Sequence, residues 1–164
     1  MSGTRLIATW FGVGLLRPAP GTWGTLAALP FVWALHIVGG FTLVALATVA
    51  IFLVGWWAAI HETRTSADPD PSEIVVDEVA GMFLALWPVS LGAQIANVDV
   101  LRLWPGWVVA FLAFRLFDIW KPGPVGWADR QHTPLGLMLD DILAGLLAAV
   151  VVVAAAAFAH LVLM

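Results

Sequence analysis

The chain has 164 residues, 11 acidic against 7 Lys and Arg, a formal net charge of -4 and no cysteine. It is 62% hydrophobic and 11% charged, whereas an ordinary soluble domain is about 45–50% apolar and about 25% charged. The acidic balance excludes a basic nucleic-acid-binding surface, and the lack of cysteine excludes disulfides, thiolate nucleophiles and thiolate metal sites.

So much apolar surface exceeds what one small core can hide. Ten Trp and no Tyr fit a protein with a large lipid-facing and interfacial surface. In chain order, Arg5 and the apolar run 6–16 have the outline of a secretory signal. Pro18 and Pro20 crowd the place where cleavage would fall and further spans follow, so the segment is read as retained. Residues 26–38 form a short apolar stretch, about 20 Å if helical, read as a re-entrant or spanning helix. Gly39-Gly40 is a turn. Residues 41–60 carry no charge and are long enough to cross a bilayer. A turn-rich linker follows, with Ser66, Asp68, Pro69, Asp70, Pro71 and Glu73, whose acids are read as solvating a loop. Residues 79–96 and 103–117 are shorter apolar stretches that Pro88 and Pro105 are expected to tilt or kink. Residues 137–164 make the last long span. The expected fold is all-α: a single membrane-embedded domain over 1–164, a multihelical bundle with about four to five membrane-embedded helices.

Threading these spans in order, with the first loop inside, puts Arg5, Arg17, Arg64, Arg115, Lys121 and Arg130 on one side and only Arg102 on the other. The positive-inside rule makes the crowded side cytoplasmic. Every acidic residue except Asp99 falls on that side too, which no targeting rule requires.

Two acidic pairs, Asp77-Glu78 and Asp140-Asp141, each open an apolar helix. One carboxylate at a helix start is ordinary capping. Two adjacent pairs at a bilayer edge repel one another unless a cation lies between them. Gly81 and Gly145, with Ala144, Ala148 and Ala149, allow the two helices to approach closely. Oxygen-only ligands on the cytoplasmic side favour Mg²⁺. In F-R-L-F-D-I-W-K-P, Arg115 faces Asp118 and Asp118 faces Lys121 on one helical side. Alone this reads equally as a salt-bridged helix end. Functionally, Asp118 would join the metal while Arg115 or Lys121 meets a phosphate. P-G-T-W-G-T-L, before the first apolar helix, offers glycines, Thr caps and free amides of the kind that suit phosphate, although a plain turn and cap explains it as well. It is not a Walker A loop. None of the four histidines has a partner at metal-ligand spacing, and His132 is the one nearest the charged loop.

The segments P-G-T-W-G-T-L-A-A-L-P, V-D-E-V-A-G-M, F-R-L-F-D-I-W-K-P-G-P and L-D-D-I-L-A-G, with W-A-D-R, resemble in that order the bacterial phosphatidylglycerophosphatase A family. The resemblance spans residues 17–145. It implies a Mg²⁺-dependent phosphoric monoester hydrolase of the inner membrane that converts phosphatidylglycerophosphate to phosphatidylglycerol. It points to Thr22, Asp77, Glu78, Asp118, Lys121, Asp129, Arg130, Asp140 and Asp141. Thr133-Pro134-Leu135-Gly136 departs from the Gly-Gly-x-Gly common in that family and is one residue shorter.

Together these readings assign Asp77, Glu78, Asp118, Asp140 and Asp141 to metal, Thr22, Arg115, Lys121 and Arg130 to the substrate phosphate, and Asp129 to catalysis with the metal carboxylates, Lys121 and Arg130. The expected partner is a phospholipid substrate in the membrane, with no nucleic acid, and a homo-oligomer is an open alternative. Attack by water and an aspartyl-phosphate intermediate are both open. The competing function is a small cation or proton transporter using the same acids. Against it, the acids sit at helix ends, whereas transporters place their sites mid-span. The sequence signatures of CDP-alcohol phosphotransferases, of lipid phosphatases that form a phosphohistidine and of Cys-x5-Arg phosphatases are absent.

Overall fold

A computed structural model describes residues 1–64 and 71–163, so Ser66, Asp68, Pro69 and Asp70 of the expected linker lie outside the described residues. The described chain is all-helical: α1 (Gly3–Ala8), α2 (Pro20–Thr63), α3 (Val76–Ala85), α4 (Trp87–Ala96), α5 (Trp104–Trp120), α6 (Pro124–Asp129) and α7 (Pro134–Leu163). Among the described residues, four helical stretches are long and apolar enough to cross a membrane.

The first of these, α2, is two arms. Gly39 and Gly40 depart from helical geometry, Gly40 at φ 62°, ψ -158°, a region that essentially only glycine occupies. The amide of Phe41 instead donates to Gln94 Oε1 at 2.7 Å. At the opposite end of α3–α4, a Cβ on Gly24 would meet the Val75 side chain and one on Gly55 would meet Val76. His36 Nδ1 lies 2.7 Å from Ser90 Oγ on the way up. Arm 20–38 therefore climbs alongside α3–α4 and arm 41–63 returns, so the short apolar stretch 26–38 runs the same height as its neighbours. The first arm begins earlier than the apolar pattern suggests. Pro20, with its preset φ, occupies the first helical turn, and the expected pre-helix loop Gly21–Thr25 is helix.

The proline at 88 acts as expected: α3 ends at Ala85, with Leu86 as its C-cap, and α4 begins with Pro88 in its first turn. Pro105 instead starts α5, where its missing N–H costs nothing. The α3–α4 stretch is the centre of the bundle, with most of its residues buried where most of those in the other three stretches are not. Against it packs α7, and small residues set the distance. A Cβ on Gly145 would fall on the backbone of Gly81, and one on Gly81 would strike the Asp141 backbone and the Phe114 ring. Ala144 and Ala148 are fully buried in the same seam, as the sequence led us to expect.

The amino-terminal segment is packed beneath the bundle. The Val75 amide donates to Ala8 O at 2.9 Å, Thr4 Oγ1 donates to Glu62 at 2.5 Å, and Arg5 meets Glu73 at 2.5 Å. Arg17 also lies 3.8 Å from Glu73. Glu73, expected only to solvate a loop, therefore ties α1 to the segment that leads into α3.

The Gly145–Gly81 contact is backbone against side-chain position, so neither side can yield. Gly145→Val is expected to cost about 1–3 kcal/mol through overpacking and so to lower the thermal midpoint in detergent. Gly92→Ala, whose Cβ would meet only Leu103 Cδ1 at 3.8 Å, should leave it unchanged or slightly raised. Equal losses from both would contradict this packing.

Candidate active site

Three helix ends and a short helix converge on a cavity of about 350 Å³. The start of α3 brings Asp77 and Glu78, and the second turn of α7 brings Asp140 and Asp141. The second pair is not at the helix start, as the sequence suggested. Thr133 Oγ1 accepts from the Gly136 amide at 3.0 Å, so a Thr cap and Pro134 begin α7 upstream. The end of α5 contributes Arg115, Asp118 and Ile119. Lys121, just past that end, and Asp129 on α6 complete the charged lining.

In each acidic pair the first carboxylate accepts from the next residue's amide, Asp77 from Glu78 at 2.9 Å and Asp140 from Asp141 at 3.0 Å. That fixes one oxygen of each leading acid and turns the following side chain inward. Asp77, Asp140 and Asp141 are 5%, 6% and 4% exposed. One carboxylate oxygen each from Asp77, Glu78 and Asp141 lies within 4.8 Å of the others. Glu78 Oε2 and Asp141 Oδ1 are buried with no hydrogen-bond partner among the described residues.

The remaining charges are paired. Arg115 holds Asp118 at 2.5 Å with both side chains largely buried, the contact expected from their spacing. Lys121 does not pair with Asp118. It sits past the helix end in the left-handed region, φ 50°, and its ammonium reaches across to Asp129 and to Asp140, the latter at 2.7 Å. Burial alone would lower the Lys121 pKa, but the hydrogen bonds to Asp129 and Asp140 outweigh it and hold the ammonium above the ordinary lysine range. Lys121 is therefore a fixed positive charge and no proton acceptor.

Thr22 and Arg130 stand apart from this cavity. On a helix starting at Pro20, Gly21 and Thr25 share one face and Thr22 points about 100° away. Arg130, just past α6, is exposed, lies against Gly126 and does not line the cavity. The site role that sequence reasoning missed belongs to Thr25. It is fully buried, donates to Gly21 O at 2.8 Å and accepts from Arg115 at 3.5 Å. Gly21 is equally specific, since a Cβ there would collide with the Glu78 carboxylate and crowd Arg115. Pro20 was the available signal: placing the helix start there puts residues 21 and 25 on one face.

The donor set fits a hard divalent cation. Oxygens bound to one ion at about 2.1 Å lie at most about 4.2 Å apart, close to the 4.8 Å spread of the three carboxylates. The two orphaned oxygens on Glu78 and Asp141 supply free lone pairs. Without such an ion, unit charges about 4 Å apart repel by on the order of 4 kcal/mol at an effective dielectric of about 20. Asp141→Asn, which removes one of those charges, is expected to raise the thermal midpoint measured in EDTA and to abolish its further rise on adding Mg²⁺. A lower midpoint in EDTA would contradict a repulsive cluster.

A family model described as Phosphatidylglycerophosphatase A matches residues 6–156. The Haemophilus influenzae protein named Phosphatidylglycerophosphatase A is 36% identical over 151 residues, covering 92% of this chain and 86% of that one. The Escherichia coli protein of the same name is 35% identical over 147 residues, covering 88% and 78%. A Bacteroides thetaiotaomicron protein, 37% identical over 145 residues and covering 85% of each chain, carries the provisional name phosphatidylinositol-3-phosphatase. No solved structure matches the chain. With the sequence motifs meeting in one cavity and the family match running over nearly its whole length, the chain belongs to the phosphatidylglycerophosphatase A family.

Proposed function

We propose that this protein hydrolyses the terminal phosphomonoester of phosphatidylglycerophosphate, releasing phosphate and phosphatidylglycerol for phospholipid synthesis, in a Mg²⁺-dependent reaction at the cytoplasmic face of the inner membrane. The observation that carries the reading is one cavity at the end of apolar helices holding a three-carboxylate cluster opposite Arg115 and Lys121. A lipid phosphate presents its headgroup at that depth while its acyl chains stay among the helices. The cytoplasmic assignment rests on the distribution of Lys and Arg, six near the cavity end and Arg102 at the other.

Asp77, Glu78 and Asp141 would hold the metal, with Asp140 and Asp118 beside them. When bound, a divalent cation supplies neutralisation of these carboxylates and Lewis-acid polarisation of a phosphoryl oxygen. Arg115 is oriented by Asp118 and Thr25 and can fork onto phosphate oxygens as Asp118 is drawn away. Lys121 contributes a fixed positive charge between Asp129 and Asp140. Hydrolysis breaks the bond from phosphorus to the glycerol oxygen, adds a water oxygen to phosphorus and returns a proton to the alcohol. A carboxylate not on the metal would accept the water's proton, and Asp129 is the cavity acid outside the proposed metal set. The cluster lies at the end of the bundle, where a headgroup reacts, and not at mid-span, where a transport site would sit.

The test is phosphate release from phosphatidylglycerophosphate by the purified chain in detergent, with phosphatidylinositol 3-phosphate as the competing substrate. Release should require Mg²⁺, stop in EDTA, and fall by about 10²–10³-fold in Asp141→Asn and Arg115→Met, the usual scale for losing an electrostatic catalytic group. Preference for the inositol lipid would replace the substrate. No release with any divalent metal from well-folded protein would overturn the phosphatase reading.

A further inference from the structure

The cavity has two unlike rims. Of its lining residues, Ala19, Ser72, Ile119, His132 and Thr133 are exposed. Ser72, His132 and Thr133 give that part of the mouth a polar edge. Ile119 is a large apolar side chain that lines the cavity and is still 72% exposed. It also ends a stripe along α5: Leu112 is 60% exposed and Leu116 56%. Spacings of four and three residues keep Leu112, Leu116 and Ile119 on one helical face, and α5 lies within a stretch able to cross the membrane. An apolar stripe on such a helix faces acyl chains, so at Ile119 the reaction cavity is continuous with the lipid.

Resting on the phosphatase reading, we propose that Ile119 forms the lipid-side sill of the cavity, over which the diacylglycerol part of the substrate passes from the active site to the Leu112–Leu116 face of α5. The headgroup reaches the carboxylates and Arg115 from the bilayer, and its released phosphate leaves over the polar edge. Ile119 is then a specificity residue. It favours a phosphomonoester carried on a lipid over the same headgroup free in water, because only the lipid has a part to lay across it.

The test compares phosphatidylglycerophosphate with its deacylated, water-soluble headgroup as substrates for the purified full chain. Ile119→Ser should lower the ratio of kcat/KM for lipid over headgroup by about tenfold, the scale of losing apolar contact in a pocket, and chiefly through KM. Leu46→Ser, at a 63% exposed position on the returning arm of α2, should keep the ratio. The chain has no cysteine, so the conservative Ile119→Cys and Leu46→Cys variants give single labelling sites. A bulky maleimide at position 119 should block lipid turnover far more than headgroup turnover, and the same label at position 46 should not. An unchanged ratio in Ile119→Ser, or labelled Ile119→Cys protein with full lipid turnover, would overturn the sill alone. Release from neither substrate by the unsubstituted chain would overturn the phosphatase reading, and the sill with it.

Discussion

Three carboxylates, from Asp77, Glu78 and Asp141, meet within 4.8 Å at the end of an apolar bundle. Two of their oxygens are buried without a partner among the described residues. Buried like charges at that distance destabilise any fold that holds them unless a cation, or protonation, removes the repulsion. The rest of the architecture works to enforce this contact. The Gly81–Gly145 seam lets α7 press on α3 closely enough for the acidic pairs to meet. Each leading acid is locked by its neighbour's amide. A bundle packed for stability alone would not gather so many charges at its end.

The positive charges are held with equal care. Arg115 is gripped by Asp118 and steadied by Thr25 from another helix, and Gly21 leaves room for it and for Glu78. Lys121 leaves the helix in a left-handed conformation and spans to α6 and α7. Both cations are thereby preset, which spares a substrate the cost of ordering them. The amino-terminal segment closes the end of the bundle through Arg5, Glu73 and the Ala8–Val75 hydrogen bond. This fixes the segment that delivers Asp77.

Much of this was legible in the sequence, for identifiable reasons. Hydropathy exposed the apolar spans because lipid-facing helices cannot hide their composition. The small residues around Gly81 and Gly145 announced a close helix contact, and the i, i+3 spacing announced the Arg115–Asp118 pair. Helix starts were less legible. Apolar patterns mark where a helix becomes greasy, whereas Pro20 and Pro134 begin α2 and α7 several polar or small residues earlier. That shift turned Thr22 away and brought Thr25 in. Lys121 was misjudged because an extrapolated helix keeps it beside Asp118, and the left-handed residue that ends α5 breaks the extrapolation. The place of Arg130 outside the cavity lining depends on the packing of the short α6, which no local pattern encodes.

The central claim is that the carboxylate cluster is a divalent-cation site, and direct metal binding tests it without reference to turnover. Mn²⁺, a spectroscopically visible substitute for Mg²⁺, can be titrated into the purified chain in detergent and its free fraction followed by electron paramagnetic resonance. A saturable site, competed by Mg²⁺ and lost in Glu78→Gln and Asp141→Asn but kept in Glu73→Gln, is the predicted result. Binding that is absent in the unsubstituted chain, or that survives both cluster variants, would contradict the account.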